Sequence, residues 1–308
     1  MIYLPAMSGF TRREWSRLVL GGLAGTAAAG PFARLDAARR DSRMAGVRLG
    51  VQSYSFRDRP LDQAIAAMKD IGLTYCELWQ DHVEPSRTSG TPRESRADLR
   101  TWRLTTPLDE FRGIRKKFDA AGIRLTAYNI SFRDDFTDDE IARGFEMAKA
   151  LGVDVITASS TLTVVPRVDA AAQTYKVTVG FHNHSNKSPN EFSGPDDFAQ
   201  ALTGRSKWMA INLDIGHFVA AGHDPLAFLN LHHNRIVSLH LKDRKLNDPN
   251  ANLAFGQGDT PISAVLRRLR DRHWDIPANI EYEYKGGDTV AEVRRCFEYC
   301  KQALTTRP

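Results

Sequence analysis

The chain has 308 residues, 42% of them hydrophobic and 26% charged, with no low-complexity stretch. That excludes fibrous and disordered classes and leaves room for one large or two medium domains. The net charge is +5, and the first segment accounts for a net +2 of it (Arg12, Arg13 and Arg17 against Glu14), so the remainder is too mildly basic for a nucleic-acid partner.

The predicted elements begin with a leader. TRREWSRLVLGGLAGTAAAG carries paired arginines, a short apolar run from Leu18 to Ala29 and then small residues. The run is too short to span a bilayer, and its order is that of an export signal. Arg12-Arg13 resembles a twin-arginine signal, which implies a periplasmic or secreted chain with no stable membrane anchor. The expected division is a signal over 1–29, a polar linker over 30–45 and a folded domain over 46–308.

From residue 46 one unit repeats: a short apolar strand and then a helix-patterned stretch. Strands are predicted at 48–55, 74–79, 124–131, 153–159, 177–184, 209–215, 236–242 and 278–284. Between them, PLDQAIAAMKDIG (60–72), LDEFRGIRKKFDAAG (108–122) and TDDEIARGFEMAKALG (137–152) have helical spacing and stop at glycine. Eight such units predict an α/β fold, a single-domain (β/α)8 TIM barrel. No glycine-rich phosphate loop follows the first strand, which argues against a doubly wound sheet. The Ser/Thr/Arg/Pro-rich stretch 84–106 exceeds a normal connection and reads as a functional loop or lid. A second long connection, 243–260, holds FGQGDTP. Cys76, Cys296 and Cys300 form no metal or disulfide spacing and read as free buried thiols.

Several strands place polar groups on one parity near their C-terminal ends, where barrel enzymes keep their sites. Gln52 and Tyr54 share a face, as do Glu77 and Trp79, Asn212 and Asp214, Ser238, His240 and Lys242, and Asn279, Glu281 and Glu283; Asn129 adds to them. VTVGFHNHSN ends with His182 and His184 on one face, and His217 follows just past Gly216. Ionisable groups converging inside an apolar fold are costly unless paired or metal-bound. His182, Asp214, His240 and Glu281 come from four successive strands at equivalent depth. Two imidazoles and two carboxylates suit one divalent ion of the Mn, Zn, Co or Fe type in preference to Mg or Ca. His184, His217 and Asp243 are placed to support such ligands.

With these residues on the page, the chain resembles the xylose-isomerase-like TIM-barrel superfamily of sugar phosphate isomerases and epimerases. The resemblance rests on NLDIGHF, SLHLKDR, GQGDTPI and IEYEY, preceded by GVQSYSFR and YCELW, and covers essentially all of 46–305. It implies a small-molecule sugar substrate and a metal held by four residues from strands five to eight; an oligomer is compatible with the sequence. Asp214, His240 and Glu281 match the last three of those ligands, and His217 matches a histidine that contacts substrate oxygens. Where many members have glutamate on strand five, this chain has His182. The exchange removes a carboxylate base, so two-sided epimerisation is disfavoured, while one-base isomerisation or β-elimination remains. The HNH on strand five is similar to that of an often exported branch associated with keto-sugar and keto-glycoside breakdown.

The resemblance implies Glu281 or Glu283 as the base, with Lys242 and His217 stabilising an oxyanion or protonating a leaving group. Glu77, Trp79, Tyr54, His184 and Asn129 are then expected at the substrate. Two rivals follow from the same residues: a non-catalytic sugar-binding barrel, and an endonuclease IV-like metal hydrolase. The latter needs a D-x-H pair after strand seven, where KDRKLND has no histidine.

Overall fold

A computed structural model describes residues 41–86 and 95–306. The expected signal and residues 30–40 of the expected linker lie outside the described residues.

Eight parallel strands form the frame: β1 Val47–Gln52, β2 Tyr75–Trp79, β3 Arg124–Asn129, β4 Val155–Ala158, β5 Thr178–His182, β6 Met209–Asp214, β7 Ile236–Leu241 and β8 Ala278–Ile280. Each pairs with the next, and β8 pairs back onto β1 through Ala278–Leu49, Asn279–Gly50 and Ile280–Val51, which closes the barrel. Closure removes every sheet edge, so all backbone groups of the strands can be satisfied in a fully buried position. A two-residue strand, Arg43–Met44, pairs antiparallel with β1 across the barrel wall. The ordered domain therefore begins before residue 46, and the last part of the expected linker is sheet.

Among the described residues ten α-helices accompany them: α1 Leu61–Ile71, α2 Arg96–Thr105, α3 Leu108–Ala121, α4 Asp138–Ala150, α5 Val165–Tyr175, α6 Pro195–Leu202, α7 Ile215–Ala220, α8 Pro225–His232, α9 Ile262–Arg272 and α10 Thr289–Thr305. Local chemistry fixes their ends. α1 follows Pro60 and stops at Gly72, whose φ of 93° is left-handed; α4 opens with a capping box between Thr137 and Glu140. The outward-facing strand residues Leu49, Val51, Val179, Phe181, Leu213, Leu239 and Leu241 are fully or almost fully buried under these helices. The inward-facing set differs in kind. Gln52, Glu77, Asn212, Asp214, Ser238, His240 and Asn279 are also buried, so the inside of the barrel is polar.

The stretch 84–106 departs from expectation. Residues 96–105 are helix α2, capped by Ser95 Oγ accepting from the Asp98 amide, while 87–94 lie outside the described residues. Polar composition disguised a helix whose inner face is Leu99, Trp102 and Arg103. Arg103 is 1% exposed and makes a bidentate bond to Glu84 at 2.7 and 2.7 Å, a longer contact to Glu140 at 3.4 Å, and a cation–π contact with Phe136 at 4.4 Å. The connection 243–260 is a short hairpin, Asp243–Arg244 against Asn252–Leu253. Its loop is clasped by Asp243, whose carboxylate accepts from the amides of Gly256, Gly258 and Thr260. Asp243 therefore holds a loop and does not support a ligand. Cys76, Cys296 and Cys300 are free and buried. No described helix is long and apolar enough to cross a membrane.

Removing one partner of a buried ion triad leaves desolvated charge behind. Arg103→Met is expected to lower unfolding stability by about 3 kcal/mol, measured by urea denaturation, without altering the barrel's far-ultraviolet circular dichroism.

Candidate metal centre

The C-terminal ends of β5 to β8 deliver the site because parallel register puts them at one height. His182 pairs with Asn212, Asp214 with His240, and His240 with Asn279. Local bonding then aims each side chain. Asn183, between the two histidines of HNH, turns away from the cavity: its Oδ1 accepts from the Asp214 amide at 3.0 Å and its Nδ2 donates to the Asp214 carbonyl at 3.1 Å. This amide clamp locks the ends of β5 and β6 together. Asp214 caps α7 with Oδ1, which accepts from the His217 amide at 2.7 Å, and so points Oδ2 inward. Gly216 lets α7 approach β7, since a Cβ there would lie 2.6 Å from the Lys242 carbonyl oxygen.

His182, Asp214, His240 and Glu281 each offer one ligand atom, and the four atoms lie within 4.8 Å of one another. His182 Nε2, Asp214 Oδ2, His240 Nδ1 and Glu281 Oε2 are all buried, and none has a hydrogen-bond partner. Buried polar atoms are nearly always bonded, so four orphans aimed at one point need a common explanation. His240 Nδ1 does lie 2.8 Å from Glu281 Oε2, His182 Nε2 3.5 Å from Asp214 Oδ2, and the Lys242 ammonium 3.1 and 3.2 Å from Asp214 Oδ2 and Glu281 Oε2, but these are ion-pair contacts without hydrogen-bond alignment. Two imidazole nitrogens and two carboxylate oxygens at this spacing fit a divalent transition metal, whose bonds of about 2.0–2.2 Å bring four ligand atoms this close.

The charges around the site are strongly coupled. Lys242 Nζ is 3.1 Å from Asp214, 3.2 Å from Glu281 and 2.8 Å from Glu283. Burial opposes its charge, but Asp214, Glu281 and Glu283 together outweigh burial and raise its pKa. Burial would also raise Asp214 and Glu281; Lys242 and the neighbouring histidines pull both carboxyls below the ordinary range instead. His240 lies between Glu77 and Glu281, which overcome burial and hold its pKa well above that of a free imidazole. His184 is pushed down to about 3 by burial first and by His182 and Lys242 after it. His217 is lowered by burial and by Lys242.

A cavity of about 180 Å³ opens above the four ligand atoms. Tyr54, Trp79, Asn129, His184, His217, Lys242 and Glu283 all line it, as expected of substrate-facing residues. Tyr54 and Trp79 meet edge to face at 4.9 Å and form one wall. Asn129 is tethered by Nδ2 to the Thr157 hydroxyl at 3.1 Å. His184 stands 4.9 Å from the ring of His182 and 5.2 Å from that of His217. Glu281 belongs to the four-atom cluster, whereas Glu283 stands outside it with its side chain 20% exposed. Glu77 is the exception among the expected contacts. It is fully buried beneath the cavity, does not line it, and reaches His240 Nε2 at 2.8 Å.

Three participants escaped the sequence. Ser159 Oγ lies 3.3 Å from His182 Nδ1, Ser185 donates its backbone N–H to His217 Nδ1 at 3.2 Å, and Arg244 Nη1 lies 3.1 Å from the same nitrogen. Arg244 has the weak signal of following KD in SLHLKDR; the serines have none.

Comparison with known proteins agrees with the fold. A family model described as xylose isomerase-like TIM barrel matches residues 65–302. A search of curated proteins found no match. Among solved structures, the chain is similar to an uncharacterised protein from Parabacteroides distasonis at 24% identity and a TM-score of 0.59, covering 83% of this chain and 99% of that one. A sugar phosphate isomerase/epimerase from the same organism gives 17% identity and a TM-score of 0.57, covering 82% and 95%. The IOLI protein with a binding zinc atom gives 14% and 0.62, covering 85% and 100%. At these identities the likeness to solved structures is one of fold.

If the four orphan atoms are ligands, removing one costs metal and not the fold. Asp214→Asn, which keeps a capping oxygen for α7, is expected to lower zinc or manganese content at least tenfold by plasma mass spectrometry. Its melting temperature should also lose the rise that metal produces in the unaltered chain.

Proposed function

The chain belongs to the xylose isomerase-like TIM-barrel family, and on that premise we propose that it is a metal-dependent enzyme that removes a proton next to the carbonyl of a carbohydrate. The observation that carries the proposal is the set of four buried ligand atoms without hydrogen-bond partners below a polar cavity. A non-catalytic sugar-binding barrel has no use for such a cluster, which costs stability when empty.

His182, Asp214, His240 and Glu281 would hold the ion. When bound, a divalent metal supplies Lewis acidity toward a substrate carbonyl or hydroxyl. Glu281 is committed to that cluster, so Glu283 is the residue we assign as base. It faces the cavity, and ion pairs with Lys242 at 2.8 Å and Arg244 at 3.9 Å orient it. As the C–H bond breaks, its electron pair moves toward the carbonyl oxygen and the proton passes to Glu283. Lys242 stays charged and serves as a donor to the developing oxyanion.

His217 is a second donor. Its Nδ1 accepts from the Ser185 amide and from Arg244, so the neutral ring carries its proton on Nε2. Nε2–H and Lys242 Nζ then stand 3.1 Å apart as two donors, and a substrate oxygen seated between them can accept from both. In an isomerisation Glu283 returns the proton to the former carbonyl carbon, while the hydroxyl proton of the carbon that lost it passes to the former carbonyl oxygen. In a β-elimination the neighbouring C–O bond breaks and the departing alkoxide takes its proton from the Lys242 ammonium, which gives up its charge only at this step, while neutral His217 donates a hydrogen bond. His182 on strand five leaves no carboxylate on the far side of the substrate. This favours one-base chemistry over epimerisation and suits a keto-sugar or keto-glycoside substrate. The Arg12–Arg13 leader supports export of the folded chain, with its ion, to the periplasm or beyond.

A screen of free ketoses against keto-glycosides, with product analysis in the presence and absence of chelator, tests the reading. Turnover of free ketoses alone would rule out the elimination, and undiminished turnover in chelator would rule out the metal. Glu283→Gln is expected to reduce kcat about 100-fold or more while leaving metal content intact. His184→Ala should likewise lower turnover more than metal content, whereas His182→Ala should lose both together. Full metal occupancy in His182→Ala would show the ligand set to be wrong.

A further inference from the structure

Glu77 has no place in the reaction as written, yet it is one of the most enclosed charges in the molecule. Its carboxylate lies inside the barrel, fully buried, and its four hydrogen-bond partners all serve as donors. Oε1 accepts from the Thr157 hydroxyl at 2.6 Å and faces His240 Nε2 at 2.8 Å. Oε2 accepts from the Ser238 hydroxyl at 3.0 Å and from Asn279 Nδ2 at 3.1 Å. The direction of these bonds is determined. The Thr157 hydroxyl already accepts from Asn129 Nδ2 at 3.1 Å and the Ser238 hydroxyl from Asn279 Nδ2 at 3.0 Å, which leaves both hydroxyl protons for Glu77.

An acceptor-only group 2.8 Å from an imidazole nitrogen requires a proton on that nitrogen. His240 therefore carries a proton on Nε2, and Nδ1, 2.8 Å from Glu281 Oε2, is the nitrogen it turns toward the four-atom cluster. Asn212 Nδ2 lies 3.1 Å from the same Nε2; turning that amide over puts its otherwise unpartnered Oδ1 there as an acceptor, in keeping with a proton on Nε2.

We propose that Glu77 is a positioning residue of the metal centre: from beneath His240, through a bond to Nε2, it holds the ring in the tautomer and orientation that present Nδ1 to the ion, and it does not touch substrate. Thr157, Ser238 and Asn279, from β4, β7 and β8, brace it from three sides of the barrel. The proposal rests on the reading of the four-atom cluster as a metal site. Partners of this kind typically change metal affinity by about 10–100-fold.

The test uses the full chain freed of metal, labelled with ¹⁵N-histidine and titrated with zinc or cadmium-113. In the unaltered chain, Nε2 of His240 is expected to be protonated and the cadmium coupling to appear on Nδ1. Glu77→Gln keeps the shape but turns an amide NH₂ toward donors. It is expected to bind zinc about 10–100-fold more weakly by calorimetry, with the His240 nitrogen pattern altered and circular dichroism unchanged. Thr157→Val, which removes one donor and keeps the carboxylate, should weaken binding less. Unchanged zinc affinity in Glu77→Gln would overturn the proposal. Should that variant fail to fold, cadmium coupling on Nε2 of the unaltered chain would overturn it equally. An unaltered chain that takes up neither metal would defeat the metal reading itself, and a bare Nε2 in that same metal-free chain would separately defeat the role given to Glu77.

Discussion

Charge burial at the mouth of the barrel is the constraint on which the rest depends. Asp214, Glu281 and Glu77 are carboxylates with almost no access to water, and each needs compensation inside the fold. Glu77 finds it in four donors. Asp214 finds half of it in the cap of α7 and the remainder in Lys242. Glu281 has Lys242 and His240 beside it but no aligned hydrogen bond on Oε2. The unmet part of this demand gathers at one point, and that point is where the chemistry is assigned.

The same demand explains the scaffold's unusual details. A TIM barrel normally fills its interior with branched apolar side chains. Here the inward positions are Gln52, Glu77, Asn212, Ser238, His240 and Asn279, and the apolar packing lies outside the sheet, under the helices. Polar contacts replace packing as the means of fixing rotamers. The Asn183 clamp, the Asp214 cap and the close approach at Gly216 use the backbone itself to set β5, β6 and β7 at a common height. Each of these side chains is therefore aimed by bonds made behind it, and the face toward the cavity is left free for the proposed ion and substrate.

Residues 182–185 show how much of this was legible. Alternation along VTVGFHNHSN placed both histidines on one face, because strand side chains have a period of two. It could not show that Asn183, on the opposite face, ties down Asp214 31 residues later. Parity also put Glu77 on the inner face, but parity carries no information about depth. Glu77 sits one layer below Trp79, and two residues along a strand separate a group that touches the cavity from one that supports it. The stretch 84–106 was read from its composition, and its helix was hidden because the anchoring group is an arginine whose carboxylate partners are remote or outside the helix.

What the sequence determined alone is the period of its elements and the kinds of side chain on each face: eight strand–helix units, an inward polar set and the residues His182, Asp214, His240 and Glu281. These follow from local rules, since alternation, capping and glycine stops act within a few residues. Tertiary structure decided the rest: which glutamate belongs to the cluster and which faces the cavity, which groups face the ring nitrogens of His240 and His217, and that Glu77 bonds His240 from beneath. Those outcomes depend on the stagger between strands and on hydrogen bonds between residues as far apart as Glu77 and Asn279, 202 positions along the chain, distances over which no local pattern carries information.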